Sequence, residues 1–215
     1  MIKTTMRTLA AAALALLPLT AATPAHADTI SLHDGIEALP QAAESRDGYE
    51  RTKFKHWVDQ DKDGCNTRAE VLISESRIPV EIGPGCKILS GLWFSYYDQQ
   101  QVTEPRGLDI DHMVPLAEAW DSGASQWTAA RRQAYANDLD AERSLVAVTA
   151  KTNRSKADQD PAQWMPPAAE ARCTYLADWV ATKLRWNLTV DHTERNALRD
   201  LATTCPDTDL EYDPV

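Results

Sequence analysis

"LDIDHMVPL", residues 108–116, sets two aspartates and a histidine inside an apolar, strand-like run that Pro115 brings to an end. A second strand-like run, "SLVAVTA" at 144–150, leads directly into "KTNRSKAD" at 151–158. Between them the Ala-rich, Trp-containing stretch 116–142 reads as helical, so the middle of the chain runs strand, excursion, strand, helix. Asp111 offers a hard oxygen to a divalent cation, and the adjacent His112 has a side chain that takes a proton near neutral pH. A bare "DH" pair is also what a solvated Asp beside a structural His looks like. The second segment shifts the reading, because Asn153 adds a neutral oxygen at a helix start with Lys151, Arg154 and Lys156 around it. In a regular strand Asp111 and His112 point to opposite faces, so a shared site needs a strand end at this place, which Pro115 supplies.

Outward from this centre the chain reads as α+β with helices predominating. Tyr49, Phe54, Trp57 and Val58 predict a short helix over 49–58, and "RAEVLISES" predicts another from Arg68. "CKILSGLWFSYYD" carries β-formers around Gly91 and reads as a strand or hairpin. Helices follow at 168–185 and 193–204, the second opened by a capping box of Asp191 and Glu194. Residues 28–48 read as a loosely held leader, and 49–215 as one domain.

The chain begins with Lys3 and Arg7, an apolar stretch from Leu9 to Leu19, and "AHA" at 25–27. These are the parts of a secretory signal peptide cut near Ala27, which makes the expected location extracellular. The apolar stretch is too short to span a bilayer, and no membrane association is expected. The signal segment holds two of the 22 basic residues and none of the 32 acidic ones, which leaves the mature chain with 20 against 32. Its four cysteines, Cys65, Cys86, Cys173 and Cys205, are an even set in an exported chain and favour disulfides. Of the three possible pairings, Cys65–Cys86 and Cys173–Cys205 each close a local loop within one half of the chain. A zinc site competes, although no CxxC or HxxxH accompanies these cysteines.

The stretches "DIDHMVPLAEAWDSGA" (109–124), "YANDLD" (135–140), "SLVAVTAKTNRSKADQDPAQWMPP" (144–167) and "RCTYLADWVATKLRW" (172–186) together resemble the HNH, or ββα-metal, endonucleases. Within them the likeness is to the GmrSD-like branch of small secreted proteins. "DKDGCNTRAEVL" and "SGLWFSYYD" upstream share it, so the resemblance spans about residues 50–205. It implies a helix-rich single domain around a ββα-metal core, stapled by disulfides. It also implies hydrolysis of phosphodiesters in nucleic acid, most simply DNA at low sequence specificity. His112 would be the general base, with Asp111 and Asn153 holding one Mg²⁺ or Mn²⁺. Asn153 stands where the strict family pattern has a third histidine. Lys156 and Arg154 are expected on substrate phosphate, and Asp109, Asn137 and Ser144 are expected to support the site through hydrogen bonds.

"DQDKDGCNTRAE", residues 59–70, also fits a calcium-loop template at Asp59, Asp61, Asp63, Gly64 and Glu70. Asn66 stands where such loops want an apolar residue, and a disulfide at Cys65 would hold the loop without metal. A calcium-binding or interaction module with an inactive HNH-like centre is therefore the alternative reading, and a purely structural secreted domain is a third. The acidic balance argues against tight, sequence-specific nucleic-acid binding more than against catalysis, which needs only a local basic groove. Nothing in the sequence demands a partner subunit, so a monomer is expected.

Overall fold

The computed structural model describes residues 28–215; the signal peptide expected over 1–27 lies outside them. The described strands form four separate antiparallel pairs. β1 (Asp28–Ser31) pairs with β8 (Asp209–Tyr212), β2 (Glu81–Gly83) with β3 (Lys87–Ser90), and β4 (Trp93–Ser95) with β5 (Gln100–Val102). β6 (Leu108–His112) pairs with β7 (Leu145–Thr149), in register from Leu108 opposite Thr149 to His112 opposite Leu145. The helices are α1 (Leu32–Ala38), α2 (Thr67–Ser74), α3 (Leu116–Asp121), α4 (Ala129–Ala136), α5 (Ala150–Lys156), α6 (Arg172–Trp186) and α7 (His192–Ala202). This is a small mixed domain of helices and short sheets.

The β6–β7 pair separates two apolar cores. Leu108, Ile110, Leu145 and Ala147 face a smaller core with α2, Ile88 and Trp93, while Val146 and Val148 face a larger one built on α1, α3, α6 and α7. Asp109 and Asp111 alternate with Ile110 and so lie on the larger core's side. Thr149 ends β7 and caps α5, its Oγ accepting the Thr152 N–H, so strand passes into helix with no loop. The outer edge of β7 is closed by side chains: Glu75 accepts the Ala147 N–H through both oxygens, and Ser95 Oγ accepts the Thr149 N–H. Edge groups satisfied in this way offer no template to a foreign strand.

Burial pushes the Glu75 carboxyl up to about 7. A raised value means the folded state favours the protonated form. The associated stability is therefore present below the ordinary value of 4.5 and is lost as pH rises through about 7. Thermal melts from pH 5 to 8 should show a falling Tm that Glu75→Gln flattens, and an unchanged slope in that variant would remove Glu75 as its cause.

Both disulfides form, Cys65–Cys86 and Cys173–Cys205, with Cα separations of 5.1 and 5.6 Å. The second ties the start of α6 to the end of α7. Beneath it, fully buried Lys183 donates to Glu118 (2.9 Å), Glu194 (2.7 Å), Ser122 (3.0 Å) and the Thr189 carbonyl (2.9 Å). Glu194 thus turns toward Lys183 and Trp179 while Asp191 accepts its N–H, so only half of the expected capping box is made.

Three expectations are corrected. Residues 28–39 are no loose leader: β1 is paired, and Leu32, Ile36 and Leu39 are buried in the larger core. α1 lies so close to α6 and β8 that a Cβ on Gly35 would sit 2.9 Å from Leu210 and 3.0 Å from Val180. The segment 49–58 is irregular apart from one tight turn at Arg51–Lys53, because Phe54 is drawn into the core and Trp57 adopts φ +57°. The helical stretch 116–142 is broken into α3 and α4, with a left-handed Gly123 at φ +115° between them.

Candidate active site at the end of β6

A cleft of about 420 Å³ opens where β6 ends, lined by Tyr49, Arg51, Asp111, His112, Asn153 and Arg154 among others. Asp111 and His112 leave opposite faces of the strand, yet both reach the cleft because it lies across the strand's end. α5 brings Asn153 and Arg154 to the facing wall.

His112 is buried, its ring between Trp57 (centroids 5.5 Å apart) and Tyr135 (6.4 Å). Its Nε2 lies 3.0 Å from the Ala136 carbonyl, which can only accept, so Nε2 carries the proton and Nδ1 is the bare nitrogen. Burial pulls the imidazole down to about 3, so it is neutral at physiological pH. With Nε2–H anchored, Nδ1 is the nitrogen that can accept a proton, and burial weakens its basicity.

Asp111 is held from one side only. Tyr97 Oη (2.6 Å) and Lys156 Nζ (2.5 Å) both donate to Oδ2, and Oδ1 has no hydrogen-bond partner among the described residues. Burial raises the carboxyl above its ordinary value against the pull of Lys156. Asn153 donates through Nδ2 to Asp109 (3.3 Å), which turns its Oδ1 away from that carboxylate. Asp111 Oδ1 and Asn153 Oδ1 are thus two unclaimed hard oxygens on one cleft, a donor set that fits a cation such as Mg²⁺ or Mn²⁺.

One expected role is corrected. Lys156 cannot hold substrate phosphate: it is fully buried, and its three N–H bonds go to Asp111, the His112 carbonyl (3.1 Å) and the Met113 carbonyl (2.7 Å). Burial pulls its ammonium below the ordinary value, and its place is that of a pin through the end of β6. Arg154 is exposed and pairs with Asp109 at 3.3 Å. Asn137 accepts from the Val58 N–H and Thr67 Oγ and donates to the Lys55 and Gln133 carbonyls, bracing segment 55–67 against α4. Ser144 donates to Asp138 and, through its carbonyl, accepts the Met113 N–H.

Arg51, His56 and Trp57 are additions. Arg51 makes no ion pair among the described residues and lines the cleft. His56 stands edge-on to His112 at 6.5 Å, its Nδ1 anchored on the Phe54 carbonyl. "KHW" (55–57) has the right residue types but no spacing relation to the "DH" pair, so only folding attaches it to the site.

Elsewhere Asp59, Asp61 and Asp63 place carboxylate oxygens within 4.8 Å of one another, and Asp63 does so with Glu70. The three aspartates are exposed and precede α2, Glu70 is half-buried in its first turn, and none of them lines the cleft. No described helix is long and apolar enough to cross a membrane.

A family model for the C-terminal domain of GmrSD restriction endonucleases matches residues 79–201, which contain β6, β7, α5 and the whole Asp111–His112–Asn153 set. An uncharacterized secreted protein of Arthroderma benhamiae is 40% identical over 182 residues, covering 85% of this chain and 87% of its own. No solved structure matches the chain. With more than half its length matched, and Asp111, His112 and Asn153 inside the match, this chain belongs to the family of the GmrSD restriction endonuclease C-terminal domain.

Proposed function

We propose that the protein is a secreted, metal-dependent endonuclease of the HNH type that hydrolyses phosphodiester bonds in nucleic acid, most simply DNA, at low sequence specificity. The observation that carries this reading is the pairing of a His112 whose proton is pinned on Nε2 with an Asp111 whose Oδ1 is left open on the same cleft. The antiparallel β6–β7 pair with α5 following directly on β7 supports reading these three elements as a ββα frame.

His112 Nδ1 takes the proton from a water as it attacks phosphorus, and the Ala136 carbonyl steadies the imidazolium that results. Arg51 and Arg154 hold the phosphate from two walls of the cleft. Asp111 and Asn153 would hold one Mg²⁺ or Mn²⁺. Bound there, such an ion supplies charge neutralisation at the crowded phosphate and the departing oxygen. Lys156 and Tyr97 keep Asp111 from turning away. Two disulfides and the secreted relative support an extracellular setting, with a monomer sufficient for the chemistry.

The test is a gel assay of the oxidised protein on plasmid, single-stranded DNA and RNA with Mg²⁺, Mn²⁺, Ca²⁺ or EDTA. Cleavage that EDTA abolishes is expected. Folded protein that cleaves none of them with any metal overturns the reading.

A second reading concerns residues 59–70, favoured by the close approach of the Asp59, Asp61 and Asp63 carboxylates with Glu70 beside them. The three aspartates push the half-buried Glu70 carboxyl above its ordinary value, after burial itself. A structural Ca²⁺ would relieve that repulsion. Calcium at about a hundred times its Kd should add about 2.7 kcal/mol of stability. Melting curves with and without Ca²⁺ should separate, and the separation should vanish in Glu70→Gln; identical curves for the parent protein end the calcium reading.

A further inference from the structure

A cavity of about 660 Å³, larger than the catalytic cleft, opens beside the other end of β6. Its walls carry Arg68, Lys87 and Arg106 against the single acid Glu104, in a chain whose net charge is −10. Arg68 is half-buried and donates to the carbonyls of Pro105 (3.1 Å) and Leu108 (2.9 Å), but it pairs with no carboxylate among the described residues. Burying a guanidinium with only the unbonded charge of Asp109 to oppose the cost is unfavourable, and an anion in the cavity would offset it. Lys87 likewise pairs with no acid, and Arg106 meets Glu104 only at 3.3 Å with both groups well exposed.

The cavity is preorganised. Cys65–Cys86 bolts the Gly85–Cys86 turn, where both residues have positive φ, to the start of α2. Ile88 is buried in the floor while Leu89 is 39% exposed at the rim, so apolar surface for a sugar or base adjoins the cations.

β6 itself measures the distance to the chemistry. Arg68 holds the carbonyl of Leu108, the first residue of the strand whose last is His112, four steps or about 13 Å away. That span exceeds the separation of neighbouring phosphates on one strand, so the two places would hold different phosphates of the same strand. Asp109, the acid between the two places, is engaged by Asn153 and Arg154.

We propose that this cavity is a second backbone subsite, in which Arg68, Lys87 and Arg106 hold a phosphate of the substrate strand away from the bond cleaved. The proposal rests on the nuclease reading and extends it: the enzyme takes hold of polymer, and very short oligonucleotides reach only the cleft.

The experiment is fluorescence anisotropy in EDTA with labelled DNA strands of about 4 and about 16 nucleotides, lengths that bracket known single-strand site sizes. The longer strand should bind the parent protein at least about ten-fold more tightly. Lys87→Glu with Arg106→Glu, both at exposed positions, should close that gap and lower the salt slope of long-strand binding by roughly 1 to 2. A double variant with the parent's Tm that keeps the length dependence and the salt slope overturns the subsite. Because binding is read without turnover, protein that cleaves but binds independently of length sinks the subsite alone. Protein that shows the length dependence yet never cleaves sinks the nuclease reading alone.

Discussion

His112→Ala is expected to slow plasmid cleavage by about a thousand-fold, within the range that a positioned general base contributes, while leaving the protein folded. The variant removes the imidazole whose Nε2–H is held by the Ala136 carbonyl, leaving Nδ1 bare at the end of β6. It is a cleaner probe than a change at Asp111, which would strand the fully buried Lys156 without its counter-charge and confuse loss of chemistry with loss of fold. Initial rates at fixed Mg²⁺, with near-ultraviolet circular dichroism and Tm on the same samples, make the comparison. A folded variant that keeps more than a tenth of the parental rate would show that another group takes the proton, and His56 would be the next to replace.

The largest loss of stability is expected at Lys183. Its ammonium is fully buried, and Glu118 and Glu194 both bond it. Burial alone would lower its pKa, but those two carboxylates hold it above the ordinary value. Lys183→Met leaves two carboxylates facing each other in the core, and breaking a buried pair in this way costs about 3–5 kcal/mol. At a few degrees per kcal/mol for a domain of this size, Tm should fall by roughly 10 °C or more. Adding Glu118→Gln and Glu194→Gln removes the stranded charge and should restore most of the loss. If the single change costs under about 1 kcal/mol, or the triple variant is no better than the single, the cluster is not the keystone its geometry implies.

What the sequence makes legible here is what depends on near neighbours. The order of β6, β7 and α5 follows from two apolar runs, a proline stop and a helix start, and both disulfides close loops within their own halves of the chain. The Asp111, His112 and Asn153 set emerges from that order together with the family resemblance. Missed features depend on distant partners. Leu32, Ile36 and Leu39 stand at helical spacing in a short segment, but only β8 and α6 give that face a core to enter. Lys156 looks like a solvated charge near a helix end, yet its ammonium is committed to Asp111, 45 residues earlier in the chain. Segment 49–58 has helix-like apolar spacing, but Asn137 braces its far end and sets Trp57 and His56 beside His112.

The pairing of β1 with β8 bears on how the molecule is born. Residues 28–31 emerge from the ribosome near the beginning, and their partners at 209–212 near the end, so no partial chain can complete this sheet. Closing so long a loop is entropically slow, and the cores that α1 helps to seal stay open until it happens. A chain still being synthesised is therefore held short of its native state by topology alone. The same arrangement brings residues 28–31 and 209–212 together in one two-stranded sheet. Loss of β8 would leave β1 without its partner strand and remove Leu210 from the face of α1 at Gly35.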